Sequence, residues 1–199
     1  MATERFRQML LANEQWYNPA DMAKEKDRRF GKPNCPLFTV FESRKECAEK
    51  GVHARNFAGI AGSSKDGAFS ICVSGGYQDD VDNGDYIIYT GTGGQEDTYG
   101  SGSDTQRCDQ SFSHKDNAAL KISADTGRPV RVVRGANASS VYAPEKGYRY
   151  DGMYVVKKAY LCKGISGYMI CRFELERCPG QDPIPVRSIG LPRRKSSHT

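Results

Sequence analysis

Apolar residues near the start of the chain recur with helical spacing from residue 3 to 16, and charged side chains fill the opposite helix face. A second short helix is predicted over residues 19–29, with Asn18 as its N-cap and Pro19 in its first turn. We expect residues 1–29 to form a helical extension that packs on the rest of the protein.

From residue 30 the pattern changes to short apolar runs bounded by Gly, Pro, Asn or Asp, which is typical of β-strands. The predicted strands are Leu37–Phe41, Phe69–Ser74, Asp85–Thr90, Pro129–Arg134, Met153–Ala159 and Tyr168–Glu174. Short helical segments are predicted at Lys45–Lys50 and Asn117–Ile122. Strands and helices do not alternate regularly, so a doubly wound parallel sheet is not expected. The pattern favours an α+β fold with a curved, mostly antiparallel, barrel-like sheet and flanking helices.

The end of the chain has a different composition. Beyond Cys178 it is rich in proline, poor in large apolar residues and basic at its end, so residues 179–199 are predicted to form a disordered tail. The folded domain is therefore predicted to occupy residues 30–178. A length of 199 residues allows one well-buried domain with short appendages.

Composition excludes several classes of protein. The net charge is +5, but its distribution leaves the central domain nearly neutral, which excludes a polycation that holds nucleic acid by bulk charge. No apolar run approaches the roughly 20 residues that span a bilayer, and no signal peptide is evident, so we expect an intracellular protein without a membrane partner. The seven cysteines are scattered without metal-binding spacing, so we expect reduced thiols, no metal and no cofactor.

The segment with the most chemistry, Ser74 to Gly94, combines glycine pairs with three tyrosines and four aspartates. Glycine runs let the backbone approach a flat ligand closely. If the rings of Tyr77 and Tyr89 are brought together, they can sandwich an aromatic base, and such stacking contributes about 1–3 kcal/mol per base. A neighbouring aspartate carboxylate only accepts hydrogen bonds, so it selects the amino edge of cytosine over the carbonyl edge of thymine.

Two plainer interpretations of this segment stay open. A glycine-rich hairpin with core tyrosines and solvated aspartates is the favoured interpretation from the segment alone. The run Gly91–Gly94 also suggests a phosphate cradle, but it lacks the Lys-Ser/Thr ending of a nucleotide-triphosphate loop.

A longer series of short motifs runs in order from about residue 30 to residue 176. The motifs are Gly51-Val52-His53, Ala58–Gly62, Asp66–Ser70, Ser74–Gly84, Tyr89–Gly94, Cys108-Asp109-Gln110, Pro129–Arg134 and Tyr148–Tyr154. In order and spacing this series resembles the SRA (SET- and RING-associated) family, also called YDG after the Tyr-Asp-Gly run that stands here at Tyr150-Asp151-Gly152. Such an extended match is far more specific than one short motif.

The resemblance implies a curved sheet that reads methylated cytosine in double-stranded DNA by flipping the base out of the helix. It implies that Tyr77 and Tyr89 are the stacking pair and that Asp80 receives the cytosine amino group. Thr92 occupies the position where the family packs a small side chain against the 5-methyl group. The other implied contacts are Gly75, Gly76 and Thr90 at the base edge, and Asn56 and Phe57 in a thumb loop that enters the groove.

The sequence departs from the family in the finger that reads the opposite strand. Members that prefer hemimethylated CpG carry a basic finger with an arginine, whereas Ser101 and Gly102 lie at that position here. No Arg or Lys is there to make a bidentate contact with guanine, so we expect little preference for hemimethylated over fully methylated CpG. Phe57 is bulkier than the valine expected in the thumb, and partial intercalation of its ring can compensate.

Several polar residues have alternative interpretations. The methyl group of Thr92 can crowd a hydroxyl added at C5 of the base, whereas its own hydroxyl can bind one, so the sequence does not choose between methyl- and hydroxymethylcytosine. Arg131 and Arg134 alternate with valines on a predicted strand, and they either contact phosphate or form a solvated face. His53 is interpreted as ordering the thumb loop rather than as an acid–base catalyst.

No catalytic residue is predicted. A deaminase needs zinc ligands beside a glutamate, a methyltransferase needs a cofactor domain, and the flanking segments are too short for a nuclease. The first interpretation is therefore a nuclear chromatin reader of 5-methylcytosine or 5-hydroxymethylcytosine, with its chromatin partners unknown. The alternatives are the recognition module of a modified-DNA nuclease or other enzyme, and a scaffold with a degenerate pocket.

Overall fold

Strands dominate the computed structural model, which describes residues 29–95, 106–136 and 140–187. In chain order its elements are β1 (Val40–Phe41), α1 (Arg44–Glu49), β2 (Ile60–Ser63), β3 (Gly67–Val73), β4 (Val81–Asn83), β5 (Tyr86–Thr90), α2 (Lys115–Thr126), β6 (Val130–Gly135), β7 (Tyr148–Lys163) and β8 (Met169–Arg177). The predicted N-terminal helices, the finger position at Ser101 and Gly102, and most of the predicted tail lie outside the described residues.

The strands join in one curved sheet in the order β2-β3-β6-β7-β8-β5-β4, and β1 pairs with β7. Strands β3 and β6 run parallel, whereas the other neighbouring pairs run antiparallel. Register shifts interrupt the pairing of β2 with β3, of β6 with β7 and of β7 with β8, and such bulges bend a sheet. The predicted α+β fold with a mostly antiparallel sheet is confirmed, although the sheet stays open, with β2 and β4 at its edges.

The helices begin and end where local chemistry dictates. Ser43 caps α1 by accepting the backbone N–H of Glu46. His114 caps α2, and Gly127 ends it in the left-handed conformation at φ 67°. Helix α2 extends beyond the predicted segment Asn117–Ile122 at both ends. Its start was not predicted because its N-cap is a histidine, which is not among the usual N-cap residues. None of the helices in the described ranges has the length and apolar character needed to cross a membrane.

The apolar core lies mainly between α2 and the sheet. Ala119 and Leu120 of α2 are fully buried against residues of the sheet such as Ile71 and Phe173. A second apolar cluster around Phe41 and Met153 lies near β1 and the start of β7. Burial of this apolar surface is the main favourable contribution to folding. The loops after β3 and β5 lie outside this core, at the rim of the sheet.

A buried arginine connects three strands. Arg134 on β6 is fully buried and donates to both carboxylate oxygens of Asp82 on β4, over 3.0 and 2.7 Å. It also donates to Asp151 on β7 over 2.9 Å and to the Gly84 carbonyl over 2.7 Å. Burial raises the pKa of Asp82, but the hydrogen bonds and charge of Arg134 outweigh this and hold it below its ordinary value. Strands β4, β6 and β7 are thereby joined by paired charges.

The prediction that Arg131 and Arg134 contact phosphate or form a solvated face is wrong. All six residues of β6 are buried, because the strand lies between β3 and β7. Arg131 donates to the carbonyl groups of Phe30, Gly31 and Gly51, so it holds the start of the domain against the sheet. The alternation of Arg and Val on β6 therefore does not mark an exposed face, because both faces of the strand are buried.

We predict that Arg134→Met lowers the free energy of unfolding by about 3–5 kcal/mol, because it leaves Asp82 without its ion-pair partner and removes one of the two arginines that balance buried Asp151. Urea denaturation at pH 7.5 measures this loss. The control is Lys121→Met, which breaks an exposed ion pair of 2.8 Å with Asp125 and should cost less than about 1 kcal/mol. Similar small losses for both variants would contradict the structural role of Arg134.

Candidate functional site

A cavity of about 210 Å³ opens between three segments: the loop before β2, the loop after β3 and the chain around the end of β5. Drug-sized ligands occupy roughly 300–1,000 Å³, so this smaller volume suits one planar ring rather than a large molecule. Five residues predicted to bind the base line the cavity, namely Gly76, Tyr77, Asp80, Tyr89 and Thr92. Phe57 of the predicted thumb also contributes to its wall.

The other predicted residues lie beside the cavity without lining it. Gly75 is exposed and has a positive φ of 72°, which suits the turn that leads into the cavity. Thr90 is fully buried and contacts Asp80 through its backbone amide. Asn56 is exposed next to Phe57 in the thumb loop.

The two tyrosines enter the cavity from different segments. Tyr89 on β5 is buried, and its hydroxyl lies so close to Gly59 that a Cβ atom there would come within 2.3 Å. The hydroxyl of Tyr77 donates to the Gly93 carbonyl over 3.4 Å. Burial raises the pKa of both phenols, so both rings are neutral at physiological pH. Two neutral aromatic rings at a cavity of this size form a surface on which a base can stack.

Asp80 supplies a carboxylate to the cavity. Its Oδ1 accepts the backbone N–H of Thr90 over 2.8 Å. Burial raises its pKa to about 6, whereas the hydrogen bond from the Thr90 amide and the charge of Arg172 oppose this rise. At pH 7.5 the group is therefore mostly ionised and can accept a hydrogen bond from a ligand in the cavity.

The other three aspartates of this segment have structural partners. Asp79 accepts the backbone N–H of Ile165 over 3.0 Å, Asp82 pairs with Arg134, and Asp85 lies 3.5 Å from Arg177. Of the four, Asp80 lines the cavity. This division of roles was not evident from the spacing of the aspartates.

The thumb loop displays Phe57, whose side chain is 94% exposed. Its backbone is held by Arg44, whose Nη1 donates to the carbonyls of Phe57 and Ala58 over 2.6 and 2.9 Å. His53 bonds the same Ala58 carbonyl through Nε2 and Ser70 through Nδ1. Burial lowers the pKa of His53 to about 4, so its ring is neutral and structural, as the sequence predicted.

Sequence reasoning missed three side chains that hold the cavity walls. Arg44 fixes the thumb loop, and buried Gln110 donates to the carbonyls of Gly91 and Gly93. Buried Asn117 bonds the backbone of Thr92 through both ends of its amide. Gln110 could have been found because it belongs to the family motif Cys108-Asp109-Gln110. Nothing in the local sequence around Arg44 and Asn117 indicates their role. No group of three or more His, Cys, Asp or Glu residues suited to a metal ion occurs in the described ranges.

Comparison with protein families identifies one matching domain. The family model described as the SAD/SRA domain matches residues 29–181. The chain is 44% identical over 155 residues to a UHRF1-like protein of Cryptococcus neoformans var. grubii, covering 74% of this chain and 45% of that protein. It is 40% identical to the E3 ubiquitin-protein ligase UHRF1 of Xenopus laevis, covering 82% of this chain and 23% of the ligase. The chain thus spans less than half the length of these relatives.

Solved structures with a similar fold include proteins that act on or bind modified DNA. The modification-dependent TagI restriction endonuclease has a TM-score of 0.71 and 39% identity, covering 75% of this chain and 52% of that one. The SRA domain of SUVH5 bound to fully hydroxymethylated CG DNA has a TM-score of 0.65 and 35% identity, covering 78% and 98%. KRYPTONITE in complex with mCHH DNA has a TM-score of 0.67 and 33% identity, covering 87% and 39%.

We predict that Asp80→Asn stabilises the protein at pH 7.5 by roughly 1–3 kcal/mol, because it removes a buried charge and keeps an acceptor for the Thr90 amide. The folded-state pKa of about 6 lies above the ordinary value of 3.8. The protonated carboxyl is therefore favoured by folding, and this contribution is lost as the pH rises through 6. The gain from the substitution should accordingly shrink between pH 7.5 and pH 5.

Thermal or urea unfolding at several pH values checks this expectation. Asp182→Asn, at an exposed position, is the matched control and should change the stability by less than about 0.5 kcal/mol. If Asp80→Asn were less stable than the parent at pH 7.5, the burial of a charged Asp80 would be disproved.

Proposed function

Because the chain belongs to the SAD/SRA domain family, we propose that it binds double-stranded DNA by flipping a 5-modified cytosine into the cavity between Tyr77 and Tyr89. The proposal is carried by one observation: an aspartate carboxylate lies in a ring-sized cavity together with two tyrosines. The similarity to SRA structures bound to methylated DNA supports it. We assign the DNA-reading domain to residues 30–178, flanked by segments 1–29 and 179–199.

Flipping requires favourable contacts that offset the unpairing and unstacking of the base, which cost a few kcal/mol. Stacking on Tyr77 and Tyr89 contributes about 1–3 kcal/mol per base. A hydrogen bond from the cytosine amino group to ionised Asp80 contributes about 1.5–3 kcal/mol. Gly75, Gly76 and Thr90 complete the base edge in this proposal. Thymine gains stacking alone, because its carbonyl group faces the carboxylate without a donor.

In this proposal the 5-methyl group packs against Thr92. Asn117 bonds both the N–H and the carbonyl of Thr92, which holds the Thr92 side chain at the cavity wall for an apolar contact through its methyl group. Burial of one methyl group contributes about 0.8 kcal/mol, or a factor of about four in affinity. We therefore expect 5-methylcytosine to bind at least as well as 5-hydroxymethylcytosine.

Strand discrimination is expected to be small. The finger sequence around Ser101 and Gly102 offers no arginine or lysine to read guanine on the opposite strand. The exposed ring of Phe57 enters the groove and fills the gap by apolar contact, with Asn56 beside it. Because an apolar ring makes no hydrogen bonds to the base edges of the opposite strand, hemimethylated and fully methylated sites bind with similar affinity.

We propose that the protein is a nuclear chromatin reader rather than an enzyme, because its match is to the SAD/SRA domain and it covers only 23% of the similar E3 ubiquitin-protein ligase. A second candidate is the recognition module of a nuclease that depends on modified DNA. The similarity to the TagI restriction endonuclease, at a TM-score of 0.71, favours that candidate. Incubation with methylated plasmid and Mg²⁺ tests for nuclease activity in the chain itself, since cleavage that depends on methylation would favour a nuclease over a reader.

A binding panel at one stated salt concentration tests the proposed function. It compares unmodified, hemimethylated, fully methylated and hydroxymethylated duplexes by fluorescence anisotropy. We expect methylated duplexes to bind at least about fourfold more tightly than unmodified DNA. The affinities for hemi- and fully methylated duplexes should agree within about threefold, which corresponds to about 0.7 kcal/mol, because the same Phe57 ring enters the groove in both.

The matched variant for this panel is Tyr77→Ala, which should abolish the preference for methylated DNA while leaving the weak binding to unmodified duplex. Equal affinity of the parent for methylated and unmodified DNA would refute the proposed function. A tenfold preference for the hemimethylated duplex would refute the expected indifference to the opposite strand.

We predict that Phe57→Ala weakens binding to a methylated duplex about tenfold, because the vacated space in the DNA loses its stacking partner, at about 1–3 kcal/mol. The melting temperature of the protein should not change, since the ring is 94% exposed. Val186→Ala, at another exposed apolar side chain that does not line the cavity, should leave the affinity unaltered. Unchanged binding by Phe57→Ala would show that the thumb does not enter the groove.

A further inference from the structure

Arg172 does not line the cavity, yet it connects the two segments that hold Asp80. It lies on β8 opposite Thr90 of β5 in the antiparallel register. Its Nη1 donates to the backbone carbonyl of Asp79 and, over 3.1 Å, to the Thr90 hydroxyl oxygen. One guanidinium therefore joins the loop before β4 to the end of β5.

The contact with Arg172 orients the Thr90 hydroxyl. A hydroxyl group has a single hydrogen to donate, and here its oxygen accepts from the guanidinium. The backbone N–H of Thr90 donates to Oδ1 of the Asp80 carboxylate over 2.8 Å. Through the Thr90 hydroxyl, Arg172 therefore anchors the residue whose amide holds the Asp80 carboxylate.

Asp79 is held at two points. Its backbone carbonyl accepts from Arg172, and its side-chain Oδ1 accepts the backbone N–H of Ile165 in the turn between β7 and β8. These bonds engage Asp79 outside the cavity. The following residue, Asp80, is the one whose carboxylate lines the cavity.

The charged and titratable groups that influence Asp80 come from three elements. Asp79 and Tyr77 belong to its own loop, Tyr89 to β5 and Arg172 to β8. Burial raises the pKa of Asp80, the hydrogen bond from the Thr90 amide and the charge of Arg172 lower it, and Asp79 raises it. Loss of Arg172 therefore favours the protonated carboxyl, which presents a donor where the cytosine amino group needs an acceptor.

We propose that Arg172 is a positioning residue for cytosine selection, which acts through the Thr90 hydroxyl and the Asp79 carbonyl to hold the Asp80 carboxylate as an acceptor. The inference rests on the proposed function, because it assumes that a flipped base reaches Asp80. It assigns a role in base selection to a residue on β8, a strand that contributes no residue to the lining of the cavity.

The test compares two duplexes that differ at one position, with guanine opposite either 5-methylcytosine or thymine. These bases differ at the C4 amino or carbonyl group and in the protonation of N3. The mismatched thymine also costs less to unpair, but this cost is the same for every variant, so a change in the affinity ratio between variants reports selection at this edge. We expect the parent to prefer 5-methylcytosine about tenfold, since an unpaired buried polar group costs about 1–3 kcal/mol. Arg172→Met should lose most of this ratio at pH 7.5. The pH below which the preference disappears should also be higher than in the parent.

Thr90→Val provides a second variant of nearly the same shape, which serves even if Arg172→Met folds poorly. It removes the hydroxyl through which Arg172 holds Thr90, and it should raise the same pH midpoint. The double variant should lose no more selectivity than the stronger single variant, because both remove the contact between Arg172 and Thr90. Lys158→Met is the charge control: it removes a positive charge from the same sheet face, where Lys158 pairs with Glu174 over 2.9 Å. Its ratio and pH profile should match those of the parent.

The inference is overturned if Arg172→Met lowers the melting temperature or the overall affinity while the ratio and its pH dependence stay as in the parent. That outcome would leave the proposed function standing, provided that the parent still prefers methylated over unmodified DNA. A parent that does not distinguish 5-methylcytosine from thymine overturns both proposals.

Discussion

The structure depends on the pairing of the buried charge of Arg134. A guanidinium without water must have its donors bonded and its charge balanced, and Asp82 and Asp151 meet both needs from two other strands. The pairing holds the short strand β4, at the edge of the sheet, in place. Because β4 begins directly after Asp80, the network also fixes the end of the loop that carries Asp80 and Tyr77 into the cavity.

The aspartates around the cavity are also paired with donors or positive charges, with the exception of one whose charge is only partly compensated. Asp79, Asp82 and Asp85 each have a partner that stabilises the fold, whereas the carboxylate of Asp80 is buried with its charge only partly compensated. A carboxylate held in this way is costly for folding and well suited to accept a donor from a ligand. Arg44, Gln110 and Asn117 hold the backbone of the surrounding loops by hydrogen bonds, which fixes the walls of the cavity.

Most of the sheet was predictable because its strands are apolar and bounded by turn residues. Strands β2 and β4 were missed, since one is short and rich in small residues and the other, Val81–Asn83, is polar. Strand β4 pairs with β5 in a local hairpin, but the ion pair that ties it to β6 joins residues 52 positions apart, which no local pattern reveals. The same limit applied at the site: the family motifs identified Tyr77, Asp80 and Tyr89, but the groups that position them come from distant parts of the chain. The error at Arg134 had this cause too, because alternation along a strand does not tell an exposed face from a second buried one.

DNA reading by this protein requires that a cytosine leaves the duplex and meets Asp80 between the two tyrosines. A crystal structure of the protein with a duplex that carries a single 5-methylcytosine would show whether it does. We predict an extrahelical base between Tyr77 and Tyr89, with its amino nitrogen within about 3.2 Å of a carboxylate oxygen of Asp80. A methylcytosine that remains stacked in the duplex, with the cavity of this protein facing away from the DNA, would contradict it.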